Sequence, residues 1–169
     1  SLRPLVDPVG KKVVLLGAGG AARAIGVELG LSGVAEIVVV NRTEERGREL
    51  SELLSEKVKV PGSFVLWKGE YELPEDAAIV VNATSIGLND PQARVPVAVE
   101  SWKPEMIAAD VVFNPPQTQF LSEAASRGCK TLDGLGMLVR QAVISFRLWT
   151  GVEPDPQVMR DAVEEFLGV

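Results

Sequence analysis

Short apolar runs alternate with stretches of helical spacing along this chain. Lys12-Val13-Val14-Leu15-Leu16 is apolar and β-branched without alternation and stops at Gly17. Such a run predicts a strand covered on both faces, as in a parallel sheet. Residues 20–32 are small and apolar and predict a helix, and Ile37 to Val40 predicts a second strand. From Thr43 to about Ser55 the chain is charged and helix-favouring. Glu44 and Glu45 fall in its first turn, where the helix dipole favours acids. Val60-Pro61-Gly62 breaks the pattern. Ser63 to Trp67 then predicts the third strand and Ala78 to Val81 the fourth.

A longer irregular stretch carries Pro91, Pro96 and Pro104 and reads as loop with some helical turn. Ile107 to Phe113 predicts the fifth strand, broken by Asn114-Pro115-Pro116. Residues 117–127 fit a helix that ends at Gly128, a residue suited to the position after a helix end. Lys130-Thr131-Leu132 reads as a short sixth strand. Two helices follow, over 135–149 and 155–167, the second with Asp155 as N-cap and Pro156 in its first turn. The helix over 135–149 is apolar on nearly every side, which predicts burial. Gln141, among apolar neighbours there, would then need a polar partner. Strands alternating with helices predict one α/β domain with a doubly wound, mostly parallel sheet in the order 3-2-1-4-5-6.

Length and composition agree with that reading. The 169 residues suit one domain of about 100–200 residues. With 46% hydrophobic and 24% charged residues, the chain is neither disordered, collagenous nor a coiled coil. Its apolar runs fall short of the ~20 residues that cross a bilayer. One Cys, Cys129, excludes an intrachain disulfide framework or a Cys-cluster metal site, and the absence of His removes histidine proton relays. The net charge of −6 disfavours general nucleic-acid binding. Ser1-Leu2-Arg3-Pro4 has no signal-like apolar core, so cytoplasmic residence is expected. A start at Ser rather than Met suggests processing or a piece of something longer.

The strongest chemical signal is the turn Gly17-Ala18-Gly19-Gly20-Ala21-Ala22, between a strand and a helix. Gly17, Gly19 and Ala22 occupy the three positions of the dinucleotide fingerprint. Gly17 allows the tight turn, Gly19 lets a pyrophosphate approach the backbone, and Ala22 lets the helix pack closely. Amides at the helix start would face the anion. NAD sites carry an acid about 20 residues on, at the tip of the second strand. Here that strand ends in Val40-Asn41-Arg42-Thr43. Arg42 can grip a 2′-phosphate, Asn41 and Thr43 can donate to it, and Arg46 lies one turn further. The cofactor expected is therefore NADP.

Three further segments carry a resemblance. They are Asn82-Ala83-Thr84-Ser85-Ile86-Gly87, Asp110-Val111-Val112-Phe113-Asn114-Pro115 with Thr118, and Asp133 to Ala142. After the glycine turn and Asn41-Arg42-Thr43, this order resembles the C-terminal, cofactor-binding domain of the shikimate dehydrogenase family. The resemblance runs from Ser1-Leu2 over essentially the whole chain. It implies reversible hydride transfer between NADPH and 3-dehydroshikimate, giving shikimate. It also implies that residues matching Gly17, Ala18, Gly19, Gly20 and Ala21 hold the pyrophosphate. Ala83, Thr84, Ser85 and Ile86 would lie along the cofactor, with Val111, Gly134 and Met137 near the nicotinamide. Phe113 and Gln141 would meet substrate. Phe113 stands where Tyr is common in the family, so the hydroxyl that the resemblance implies for one substrate hydrogen bond is missing.

The same resemblance implies a catalytic Lys and Asp supplied by an N-terminal substrate domain that has no counterpart in residues 1–169. Asp110 and Asp133 take structural or cofactor-side roles by resemblance. Lys11 and Lys12 precede the first strand, away from the cofactor end. No catalytic residue and no metal site is expected in this chain, which would be inactive alone. Two other readings compete. One is another oxidoreductase on this scaffold, such as an NAD-using quinate dehydrogenase or a glutamyl-tRNA reductase domain. The other is a free-standing nucleotide-sensing regulatory module.

Overall fold

The computed structural model describes residues 6–168, so Ser1-Leu2-Arg3-Pro4 lies outside the described residues. Its strands are β1 (Lys12–Leu16), β2 (Glu36–Asn41), β3 (Gly62–Leu66), β4 (Ala77–Asn82), β5 (Ile107–Asp110) and β6 (Lys130–Leu132). The helices are α1 (Gly20–Leu31), α2 (Glu44–Leu53), α3 (Gln119–Ser126), α4 (Leu135–Thr150) and α5 (Pro156–Leu167). The strands form one parallel sheet in the order β3-β2-β1-β4-β5-β6, as the alternation of runs predicts.

Each apolar run serves both faces of the sheet at once. Val13, Leu15, Ile37, Val39, Ile79 and Val81 join Ala22 and Leu29 of α1 and Leu50 of α2 in one core. Their neighbours Val14, Leu16, Val38, Val40, Val80 and Ala108 join Phe120 and Leu121 of α3, with Trp102 of the irregular stretch, in the other. Trp102 meets Phe120 edge-on, with ring centroids 5.4 Å apart. This two-sided burial is why the strands read as continuous rather than alternating.

β5 is shorter than its apolar run. The predicted strand reaches Phe113, whereas the ladder ends at Asp110. The Asp110 carboxylate accepts the Val112 amide at 2.9 Å, so the backbone turns out of the sheet while the residues are still apolar. Asp155 caps α5 through Oδ1, which accepts the Gln157 amide at 2.8 Å, as predicted. Gly128, with φ of +85°, follows the last turn of α3.

The expectation that α4 is buried is wrong for this chain. Only Leu135 and Val139 of the helix are buried. Ile144, Phe146, Leu148 and Trp149 are exposed, Trp149 by 83%. Val152, which follows α4, and Val158 and Phe166 of α5 are exposed as well. A helix apolar on every side needs partners on every side, and α4 packs chiefly against α5. Gln141 is likewise exposed, so no buried partner is required of its amide. Among the described residues, no helix is long and apolar enough to cross a membrane.

Candidate functional site

Every candidate binding residue before α4 lies at or beyond the carboxyl ends of the strands, where open parallel sheets bind ligands. β1 delivers the glycine turn. Gly17 has φ of +104°, and a Cβ there would stand 3.0 Å from the Ala83 carbonyl oxygen and 3.1 Å from Thr84 Cγ2. Gly17 therefore serves the close approach of the β1 and β4 ends as well as the turn. Gly19 and Gly20 differ, because a Cβ at either meets no protein atom within 4 Å. Gly19 is the N-cap of α1 and offers no side chain to the first-turn amides. Space and uncapped amides coincide where a pyrophosphate would sit, so these residues fit a dinucleotide. Ala18 and Ala21 flank the same turn, the first half-buried and the second exposed.

β2 ends in Asn41, and the chain then exposes Arg42, Thr43 and Arg46. Among the described residues Arg42 and Arg46 make no ion pair. Glu44, which would oppose an anion, pairs instead with Arg48 at 2.7 Å. Asn41 has a local duty as well, since its Nδ2 donates to the Thr43 carbonyl at 2.8 Å and holds the turn that presents Arg42. A cleft of about 310 Å³ opens between the starts of α1 and α2, lined by Ala18, Gly19, Gly20, Arg23, Arg46 and Glu49. The sequence reading missed Arg23 and Glu49. Helical phase is the signal, for Arg23 stands three residues after Gly20 and Glu49 three after Arg46.

A buried polar network joins the ends of β4 and β5. Asn82 Nδ2 donates to Asp110 Oδ1 at 3.0 Å and to the Ile86 carbonyl at 3.3 Å. Its Oδ1 accepts the Thr84 hydroxyl at 2.7 Å and the Thr84 amide at 3.2 Å, and Thr84 Oγ1 accepts the Ile86 amide at 3.1 Å. Asp110 Oδ2 accepts the Thr118 hydroxyl at 2.7 Å, while Thr118 Oγ1 accepts the Leu121 amide and caps α3. Burial pushes the Asp110 carboxyl above the ordinary aspartate range, and hydrogen bonds from Val112, Thr118 and Asn82 oppose that rise. The network fixes the segment Ala83, Thr84, Ser85 and Ile86, in which only Ser85 is exposed.

Gly134 sets the next loop. A Cβ there would lie 2.6 Å from both the Val111 and Val112 carbonyl oxygens, so this position must be glycine for β6 to feed α4. Val111, Phe113 and Met137 are half-buried around it, and Gln141 lies one turn further along α4. Lys12 sits at the other end of the sheet, paired with Glu36 at 3.1 Å and Asp76 at 2.7 Å. No described Lys stands with a carboxylate at the carboxyl ends as a proton-transfer pair. No cluster of metal-ligating side chains occurs among the described residues.

Comparisons with known proteins fit this geometry. The family profile described as "Shikimate / quinate 5-dehydrogenase" matches residues 5–86, and that described as "Shikimate 5'-dehydrogenase C-terminal domain" matches residues 134–164. The shikimate dehydrogenase (NADP(+)) of Methanopyrus kandleri is 44% identical over 165 residues, covering 95% of this chain and 57% of the relative. The chain thus spans little more than half the length of that relative. A solved 5-ketofructose reductase of a Gluconobacter species superposes with a TM-score of 0.92 and 48% identity, over 98% of this chain and 60% of that one. A solved shikimate dehydrogenase in complex with NADP+ superposes with a TM-score of 0.85 and 34% identity, over 94% of this chain and 55% of that one.

Proposed function

Because the chain belongs to the shikimate and quinate 5-dehydrogenase family, we propose that it is the dinucleotide-binding part of an NADP-dependent shikimate dehydrogenase. One observation carries the cofactor reading. The open, uncapped glycine turn faces a strand tip that bears Arg42 in place of an acid, with Arg46 one turn on and, among the described residues, neither arginine in an ion pair. Gly19, Gly20 and Ala21 would hold the pyrophosphate through backbone amides, and Arg42, Thr43 and Arg46 the 2′-phosphate. When bound, NADPH supplies the hydride that reduces 3-dehydroshikimate to shikimate. The chain's own contribution is to orient the dinucleotide. The loop over Ala83, Thr84, Ser85 and Ile86, braced by Asn82 and Asp110, would lie along the bound dinucleotide. Val111, Gly134 and Met137 would lie near its nicotinamide, with Phe113 and Gln141 toward substrate.

Proton transfer falls to groups outside residues 1–169, in a substrate domain. The exposed apolar surface of α4 and α5 supports that reading, since Trp149 and Leu148 require cover. Cys129, a buried free thiol, suits a cytoplasmic location.

Calorimetric titration of this chain with NADP+ and NAD+ tests the cofactor reading. NADP+ should bind more tightly. Arg42→Ala should abolish the preference, a change of about ten- to a hundredfold, since a charge-assisted contact contributes roughly 1.5–3 kcal/mol. Equal affinities for the two cofactors overturn it. A second substrate reading has its own support in the 48% identity to a 5-ketofructose reductase and in Phe113, which lacks the phenolic hydroxyl. It is reduction of a small polyhydroxy ketone other than 3-dehydroshikimate. Steady-state kinetics of the complete protein with 3-dehydroshikimate and with 5-ketofructose decides between them.

A further inference from the structure

We infer that Arg23 is a further ligand for the cofactor's 2′-phosphate and that Glu49 is the counter-charge that holds it over the cleft and tempers its grip. The inference rests on the dinucleotide reading above. Arg23 stands one turn into α1, on the face of the helix that carries Gly20, and α2 presents Arg46 and Glu49 together. These side chains line the same 310 Å³ cleft. Arg23 Nη1 lies 3.3 Å from Glu49 Oε1, across 26 residues of sequence. Both side chains are more than half exposed, at 56% and 67%. An ion pair so exposed adds little to fold stability, so stability alone is a weak reason for it.

Its consequence lies in the cleft. The walls present uncapped amides and Arg46, all suited to an anion, and Glu49 is the one carboxylate among the cleft's lining residues. The pair directs the Arg23 guanidinium toward α2, the side on which Arg42 and Arg46 lie, and away from the open face of α1. A guanidinium so held can present its remaining N–H groups to phosphate in a fork. The Glu49 carboxylate meanwhile repels the same anion. Arg23 therefore favours NADP over NAD, and Glu49 limits how tightly NADP is held.

The test is calorimetric titration of the 169-residue chain and its Arg23→Ala and Glu49→Gln variants with NADP+ and with NAD+, alongside thermal unfolding. Both positions are exposed, so melting temperatures should barely move. Arg23→Ala should weaken NADP+ about three- to tenfold and leave NAD+ unchanged, the contact being discounted for solvent exposure. Glu49→Gln keeps the hydrogen bond to Arg23 without the charge and should tighten NADP+ about two- to fivefold, more at low salt than at high. Wild-type binding with no NADP+ change in either variant overturns this inference and leaves the cofactor reading standing. An equal change for both cofactors places Arg23 at the diphosphate and overturns it too. If the wild type fails to bind NADP+, both readings fall.

Discussion

Asp110→Asn measures how much the network between β4 and β5 contributes. Asp110 is 4% exposed and accepts three hydrogen bonds, two at Oδ1 from Asn82 and Val112 and one at Oδ2 from Thr118. Asparagine keeps the shape but has one acceptor oxygen. With its oxygen toward Asn82 and Val112, its NH2 faces the Thr118 hydroxyl, whose proton then loses its acceptor. The opposite orientation sets the NH2 against two donors and is worse. One charge-assisted bond is therefore lost, worth about 1.5–3 kcal/mol. Burial disfavours the native carboxylate, and removing its charge returns part of that. The net cost is about 1–2 kcal/mol, or a fall of about 2–8 °C in melting temperature for a chain of this size. Asp110→Leu strands all three donors and should prevent stable folding, at roughly 1–3 kcal/mol for each unmet buried group.

The pH dependence has a definite sign. The native carboxyl titrates above its unfolded value, because burial disfavours the charge. The native state therefore holds more protons in the window between the two values. Stability from Asp110 is complete below the unfolded value and is lost as pH rises through the native one. Asparagine does not titrate there. The deficit of Asp110→Asn should thus be larger at acidic pH than at neutral pH. Thermal unfolding followed by circular dichroism at both pH values is the assay. A deficit that grows from acidic to neutral pH, or an Asp110→Leu variant as stable as Asp110→Asn, would refute the reasoning.

Gly134→Ala forces a methyl to within 2.6 Å of two backbone carbonyls and should lower the melting temperature by ~6 °C or more, at a cost of about 3 kcal/mol. Gly19→Ala meets no protein atom, so its melting temperature should match the parent while NADP+ affinity falls at least about tenfold; calorimetry beside unfolding checks both. Lys12 is raised above the usual lysine range by the hydrogen bonds it donates to Asp76 and Glu36, so its stabilisation is present at neutral pH and lost as pH rises through that raised value. Lys12→Met should accordingly lower the melting temperature slightly in dilute buffer and not at all in 1 M salt, about where screening acts over 3 Å. Phe113→Tyr in the complete protein should leave NADP+ affinity alone and, if 3-dehydroshikimate is the substrate, lower its KM.

Strand and helix order was legible because two-sided burial imposes unbroken apolar runs, which Val13 to Leu16 and Ile37 to Val40 display without ambiguity. The end of β5 was not, because a side chain, the Asp110 carboxylate, stops a strand whose following residues remain apolar. The exposure of α4 was not legible either. Hydrophobicity records what a helix must be covered by, and nothing in Leu148 or Trp149 says whether the cover lies within these residues. At the site, Gly17 and Arg42 announce themselves through position in a motif. Arg23 and Glu49 belong to no motif and come together only when α1 and α2 are set side by side on the sheet.

The glycines separate the fold's requirements from the ligand's. A glycine whose missing Cβ would strike backbone is there for packing, as Gly17 is against Ala83 and Gly134 against Val111 and Val112. Such a position would stay glycine in a protein that bound nothing. Gly19 faces open space, and its φ of −86° is one that any residue adopts. Neither sterics nor backbone geometry within the described residues asks for glycine there. The cap position of α1 would moreover gain from Ser, Thr, Asp or Asn, which satisfy first-turn amides. The chain forgoes that stabilisation and leaves those amides bare beside the exposed Arg42 and Arg46. Uncapped amides beside Arg42 and Arg46, neither of which makes an ion pair among the described residues, support the proposed role as a site for an anion from outside the fold.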